Sequence, residues 1–154
     1  MASHLNTDTV CIADLVPHAG SMVLLHEIVD YDSEQIHCRA HCDPTADHPL
    51  AHDQRLPAAA LAEYGAQAMA VHGGLLAEPG SPPRPGRLVA MGQLELAVDS
   101  LDQATELSVR ATRFGGDDAG QLYGFEVHAG ERCLASGRAT VMFAATGNDS
   151  GAET

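Results

Sequence analysis

The chain has 154 residues, the length of one ordinary domain; 45% are apolar but only 4% aromatic, so its core must be built from aliphatic side chains. The net charge is −13 and all eight basic residues are arginine, which makes nucleic acid and anionic membrane poor partners, since binding either starts from a basic surface. No stretch approaches the roughly 18 unbroken apolar residues of a membrane helix, and MASHLNTDTV lacks the basic-then-apolar pattern of a leader, so a cytoplasmic protein is expected.

Residues 1–10 and 145–154 read as flexible ends flanking a single domain over 11–144. Leu15-Val16-Pro17-His18-Ala19-Gly20 is a turn-like entry in which His18 reads as structural. A strand follows over Met22–Tyr31, then a turn at Asp32-Ser33-Glu34, then a second strand from Gln35 to about Asp43. That second strand holds His37-Cys38-Arg39-Ala40-His41-Cys42, which has the donor types of a metal knot. Strand alternation separates them: Ile36, Cys38, Ala40 and Cys42 share one face, while His37, Arg39 and His41 share the other. The cysteines therefore read as small buried hydrophobes, and no metal site is expected. With Cys11 and Cys133 they make four cysteines, for which a cytoplasmic chain predicts no structural disulfide.

After the polar loop PTADHPLAHDQR comes LPAAALAEYGAQAMAVHGG, a helix in which Pro57 suits the first helical position. Gly73-Gly74 and AEPGSPPRPG end it. Its many alanines and Gly65 allow a sheet to approach closely. Four strand-like runs follow: Arg87–Val98, Ala104–Phe114, Gln121–Ala129 and Arg132–Phe143, separated by short turns. The order β-β-α-β-β-β-β predicts an α+β fold, a curved antiparallel sheet of about six strands wrapped around one long central helix.

That helix contains one carboxylate, Glu63, with Gln67 on the same face and no Lys or Arg between Leu56 and Leu76. A helix with so little polar surface places its acid in a semi-enclosed site. There a carboxyl group can serve as a general acid or base, held by the Gln67 amide.

At this point a family resemblance appears. LVPHAGSMVLLHEIVDY, and Pro57 followed by Glu63 and Gln67, resemble the hotdog-fold 3-hydroxyacyl-(acyl carrier protein) dehydratases. The likeness is strongest to the dehydratase-like proteins of bacterial aryl polyene clusters, through DHPL at 47–50, LPA at 56–58 and EYGAQAMA at 63–70. The resemblance implies a hotdog dimer, with itself or with another hotdog protein, and sites at the interface. It implies water elimination from a 3-hydroxyacyl thioester carried by acyl carrier protein or CoA, with no cofactor beyond that phosphopantetheine arm. Glu63 matches the helix acid and Gln67 its partner. The N–H of Ala58 matches the thioester-oxygen contact, and His48 the histidine, with His52 as a second candidate. Met91 and Gly92 would line the acyl tunnel, Gly92 by allowing close backbone approach. Asp47-His48-Pro49-Leu50 stands where the fatty-acid enzymes have Gly-His-Phe-Pro, slightly displaced relative to Glu63. Arg84 and Arg87 are the local basic exception on an acidic chain facing an acidic carrier. Two rivals remain: a hotdog thioesterase using Glu63 alone, and a non-catalytic partner of an active dehydratase.

Overall fold

A computed structural model describes residues 12, 22–76, 86–117 and 119–143. Cys11, His18, Arg84 and both expected flexible ends lie outside them. The chain runs β1 (Glu27–Tyr31), β2 (Gln35–Cys42), β3 (Leu56–Pro57), a 3₁₀ turn (Ala58–Ala60), α1 (Leu61–Leu76), β4 (Gly86–Leu96), β5 (Ser100–Leu101), β6 (Thr105–Gly116), β7 (Gly120–Ala129) and β8 (Arg132–Phe143). Six strands form one sheet in the order β1-β2-β6-β7-β8-β4, each neighbouring pair antiparallel. Helix α1 packs across β2, β6, β7 and β8. The expected sheet on one helix is thus observed.

Alternation decides which side of the sheet meets the helix. On β2, Ile36, Cys38, Ala40 and Cys42 are buried, while Arg39 and His41 are exposed. The thiol and imidazole donors of this strand therefore do stand on opposite faces. The inward row continues from Cys38 to Val109, Val127 and Ala135 through successive strands, all buried. Burial pushes the Cys38 thiol up to about 12, so it behaves as a hydrophobe. Register shifts at Ile28/Asp30, Arg113/Gly115 and Gly92/Glu95 bend the strands as bulges do.

Two differences from the sequence reading have local causes. The first strand begins at Glu27 rather than Met22, because the backbone of Met22 and Leu24 bonds the Gln67 side chain instead of a neighbouring strand. Pro57 is not a helical residue. It is extended (φ −60°, ψ 141°) and pairs with Ser100 in a two-stranded ladder with β5. That ladder is too short to show in a hydrophobic pattern.

Candidate functional site

The loop after β2 that carries His48 meets the helix at Tyr64, the residue next to Glu63. Asp43 opens the loop, its carboxylate accepting both the N–H and the hydroxyl of Thr45 at 3.0 and 2.6 Å. Further on, the N–H of Ala51 bonds the carbonyl of His48 at 3.1 Å, and the N–H of Leu50 reaches back to His48 Nδ1 at 3.0 Å. Across the gap to α1, His48 Nε2 lies 2.8 Å from the Tyr64 hydroxyl.

These two contacts define the ring's state. A backbone N–H can only donate, so Nδ1 accepts, and a neutral imidazole then carries its proton on Nε2. His48 therefore donates to the Tyr64 hydroxyl. Tyr64 and Cys42 are fully buried, and burial raises both of their ionisation ranges, holding them neutral. Burial likewise lowers the pKa of His48, favouring the uncharged ring.

Glu63 is half-buried in the first turn of α1, where the helix macrodipole favours an acid. Gln67 is fully buried on that helix. Its Oε1 accepts the N–H of Leu24 at 2.8 Å and its Nε2 donates to the carbonyl of Met22 at 2.6 Å. The amide expected to attend the carboxylate is thus engaged with the segment leading into β1.

The N–H of Ala58 is engaged too: it donates to the carbonyl of Asp99 at 3.0 Å, continuing the short ladder. The N–H of Leu61 closes the 3₁₀ turn, reaching the carbonyls of Ala58 and Ala59. His52 stands at the tip of the loop, highly exposed beside Asp53 at 3.6 Å, in a tight turn where Asp53 and Gln54 have φ of 53° and 61°. Met91 packs partly against the core, whereas Gly92 faces outward with nothing within 4 Å of where a Cβ would stand.

A cleft of about 430 Å³ opens on the far face of the sheet, lined among others by Gln93, Arg110, Phe114 and Arg138. It holds none of the expected site residues. Among the described residues, no group of three or more His, Cys, Asp or Glu side chains is placed to hold a metal. Sequence reasoning missed Tyr64 and Leu50, because a loop-to-helix contact leaves no periodic signature.

Comparison with known proteins adds three observations. The sequence profile of the ApeP-like family, described as ApeP dehydratase, matches residues 10–150. Among solved structures, the dehydratase heterocomplex ApeI:P from Xenorhabdus doucetiae superposes with a TM-score of 0.79 at 20% identity, covering 88% of this chain and 91% of that one. A thioesterase from Haemophilus influenzae superposes with a TM-score of 0.60 at 12% identity over 80% and 81%. These likenesses establish the hotdog fold. No curated protein is significantly similar to the chain.

Proposed function

Since the chain belongs to the ApeP-like dehydratase family, we propose that it eliminates water from a 3-hydroxyacyl thioester to give a trans-2-enoyl thioester. The family match across residues 10–150 carries this reading, because it spans the helix entry and the helix that bear Glu63 and His48. The acyl group is carried on the phosphopantetheine arm of an acyl carrier protein or of CoA. Elimination needs a group to take the C2 proton, donors to hold the charge that gathers on the thioester oxygen, and a proton for the departing C3 hydroxyl.

Glu63 is the proton-transferring carboxylate in this scheme. With the N–H of Ala58 spent on Asp99, the oxygen contact passes to the next N–H at the same helix start, that of Ala59. His48 completes the site at the helix entry.

A second hotdog protein belongs in the same proposal. The solved ApeI:P assembly is a heterocomplex. Among the described residues β4 is an edge strand, carrying exposed Val89, Leu94 and Leu96. An apolar sheet edge is a template for pairing with another chain. A non-catalytic role within such a pair is the second reading, favoured by one observation: both ring nitrogens of His48 are engaged within their own chain.

The test is to offer the chain, alone and with a second hotdog protein, a 3-hydroxyacyl carrier protein and to follow its mass. Loss of one water supports the dehydratase. Release of free carrier thiol indicates a thioesterase. A stable complex without turnover by this chain's Glu63 indicates the silent partner.

A further inference from the structure

Helix α1 covers one face of the six-stranded sheet, and among the described residues no second helix covers the other. On that outer face the paired positions of β6, β7 and β8 form rows across the strands. One row holds Gly124 and Arg138, and the next holds Arg110, Glu126 and, on β4, Glu95. Side chains on a strand ordinarily stand up from the sheet. Here the large ones lie down over glycines. A Cβ on Gly124 would be 2.6 Å from the Phe114 ring, and one on Gly120 would be 2.7 Å from the Met142 sulfur. The Arg138 guanidinium lies 4.7 Å from the centre of the same Phe114 ring. The face is flattened as a result. It still exposes Phe114, Leu122 and Met142, at 53%, 39% and 39%, on three neighbouring strands. A joined apolar patch rimmed by polar groups marks a surface that meets protein.

We propose that this face of β6, β7 and β8 receives a second copy of the chain, back to back, and leaves the β4 edge of each copy to its hotdog partner. The charges select the occupant. A net charge of −13 makes copies repel in general. Within the patch, however, Arg110 and Arg138 stand beside equal numbers of acids, Glu126 and Glu95, around a cleft of about 430 Å³. A two-fold axis makes such a balanced set self-complementary: where an arginine of one copy meets an acid of the other, the reverse contact comes with it. An acidic protein of another kind would find only half of these charges attractive. Two flattened sheets can also approach to the roughly 10 Å of face-to-face packing. Three strands of about ten residues present roughly 500 Å² per copy, or about 1,000 Å² in all, the low end of specific contacts. The association is therefore reversible and grows with concentration. It is independent of the reaction that the chain performs.

Sedimentation velocity of the full chain carrying Val89→Arg and Leu94→Arg, with the β4 edge blocked, isolates this contact. The mass is expected to rise from one chain toward two between about 1 and 500 μM. Phe114→Glu in that background should weaken the association by about tenfold or more, with Leu122→Glu acting in the same direction. Arg110→Glu should weaken it as well, and adding Glu126→Arg should restore it, since the exchange keeps the pattern balanced. A single chain at every concentration overturns the proposal. So does an association that neither Phe114→Glu nor Leu122→Glu weakens, or one that the charge exchange does not restore. Loss of binding to a second hotdog protein, when Phe114→Glu is placed in the chain with its β4 edge intact, would assign the face to that partner and overturn the second copy as its occupant.

Discussion

Gln67 and Leu24, far apart in sequence, are joined by a 2.8 Å hydrogen bond from the Leu24 N–H to the buried side-chain oxygen. With the second bond to the Met22 carbonyl, Gln67 does for this segment what a neighbouring strand would otherwise do. Gln67→Leu keeps the bulk but orphans one buried N–H and one C=O, each costing about 1–3 kcal/mol. We expect urea denaturation to show a loss of about 2 kcal/mol or more. A loss within the roughly 0.5 kcal/mol of an ordinary surface change would show that the clamp does not stabilise the fold.

Gly65 governs how closely the sheet approaches the helix. A Cβ there would lie 2.5 Å from two atoms of the Phe125 ring, and on the other side a Cβ on Gly137 would lie 2.9 Å from the same ring. The buried Phe125 has little room to retreat. Gly65→Ala gains up to about 1 kcal/mol of helix propensity but incurs about 1–3 kcal/mol of overpacking. The second effect wins, and thermal unfolding is expected to show a lower Tm. An unchanged or raised Tm would mean that β7 can shift away.

The sequence exposed what depends on periodicity and hid what depends on contact between distant segments. The burial of Cys38 and Cys42 with Ile36 followed from alternation alone. So did the outward turn of Arg39 and His41, and so did the six-stranded sheet. Glu63 stood out because its helix is otherwise uncharged. By contrast, nothing near Gln67 in the chain announces Leu24 and Met22 as its partners, and the Ala58–Asp99 bond depends on a two-residue ladder. The His48–Tyr64 bond joins a loop to a helix face, so spacing identified the histidine without its partner.

The pH response of stability follows from histidines buried neutral. The fully buried His72 accepts the Tyr123 hydroxyl at Nδ1, 2.7 Å away, and donates from Nε2 to the Asp32 carbonyl at 2.8 Å. Burial lowers its pKa, aided by the charge of Arg113 and opposed by its bond to the Asp32 backbone and by the Asp32 charge. Burial also lowers His48 and His37. A depressed histidine pKa leaves stability intact above the unfolded value of 6.5 and removes it as pH falls through the folded value. Tm is therefore expected to drop on acidification below about 6.5. His72→Phe should be less stable at pH 7 by about 2 kcal/mol or more, because it orphans the Tyr123 hydroxyl and the Asp32 carbonyl. Its Tm should also depend less steeply on pH, and an equally steep dependence would assign the effect to other groups.

The exposed edge of β4 gives a test of association that leaves the core untouched. Val89 and Leu94 are 52% and 39% exposed on a strand with no neighbour on its outer side among the described residues. Charges on an edge strand oppose pairing with another sheet. Val89→Arg combined with Leu94→Arg is expected to shift size-exclusion elution toward the single chain, with Tm of that chain changed little. Unaltered association would place the partner on another surface.

Glu63→Gln separates the two roles that its position allows. An acid in the first turn of a helix contributes about 0.3–1 kcal/mol through the macrodipole, whatever the chain does. If that were its whole purpose, the amide would cost this small amount and leave turnover intact. If the carboxylate moves protons, the amide is isosteric but unable to accept one, and the rate should fall by at least about 10²-fold. The expected outcome is a variant that folds, associates normally and forms no measurable enoyl product. His52→Ala is the matched control: it alters an exposed loop-tip ring beside Asp53 and should retain most of the rate. Full activity in Glu63→Gln would reduce the acid to a helix-stabilising residue, and a dead His52→Ala would move the histidine of this site to the loop tip.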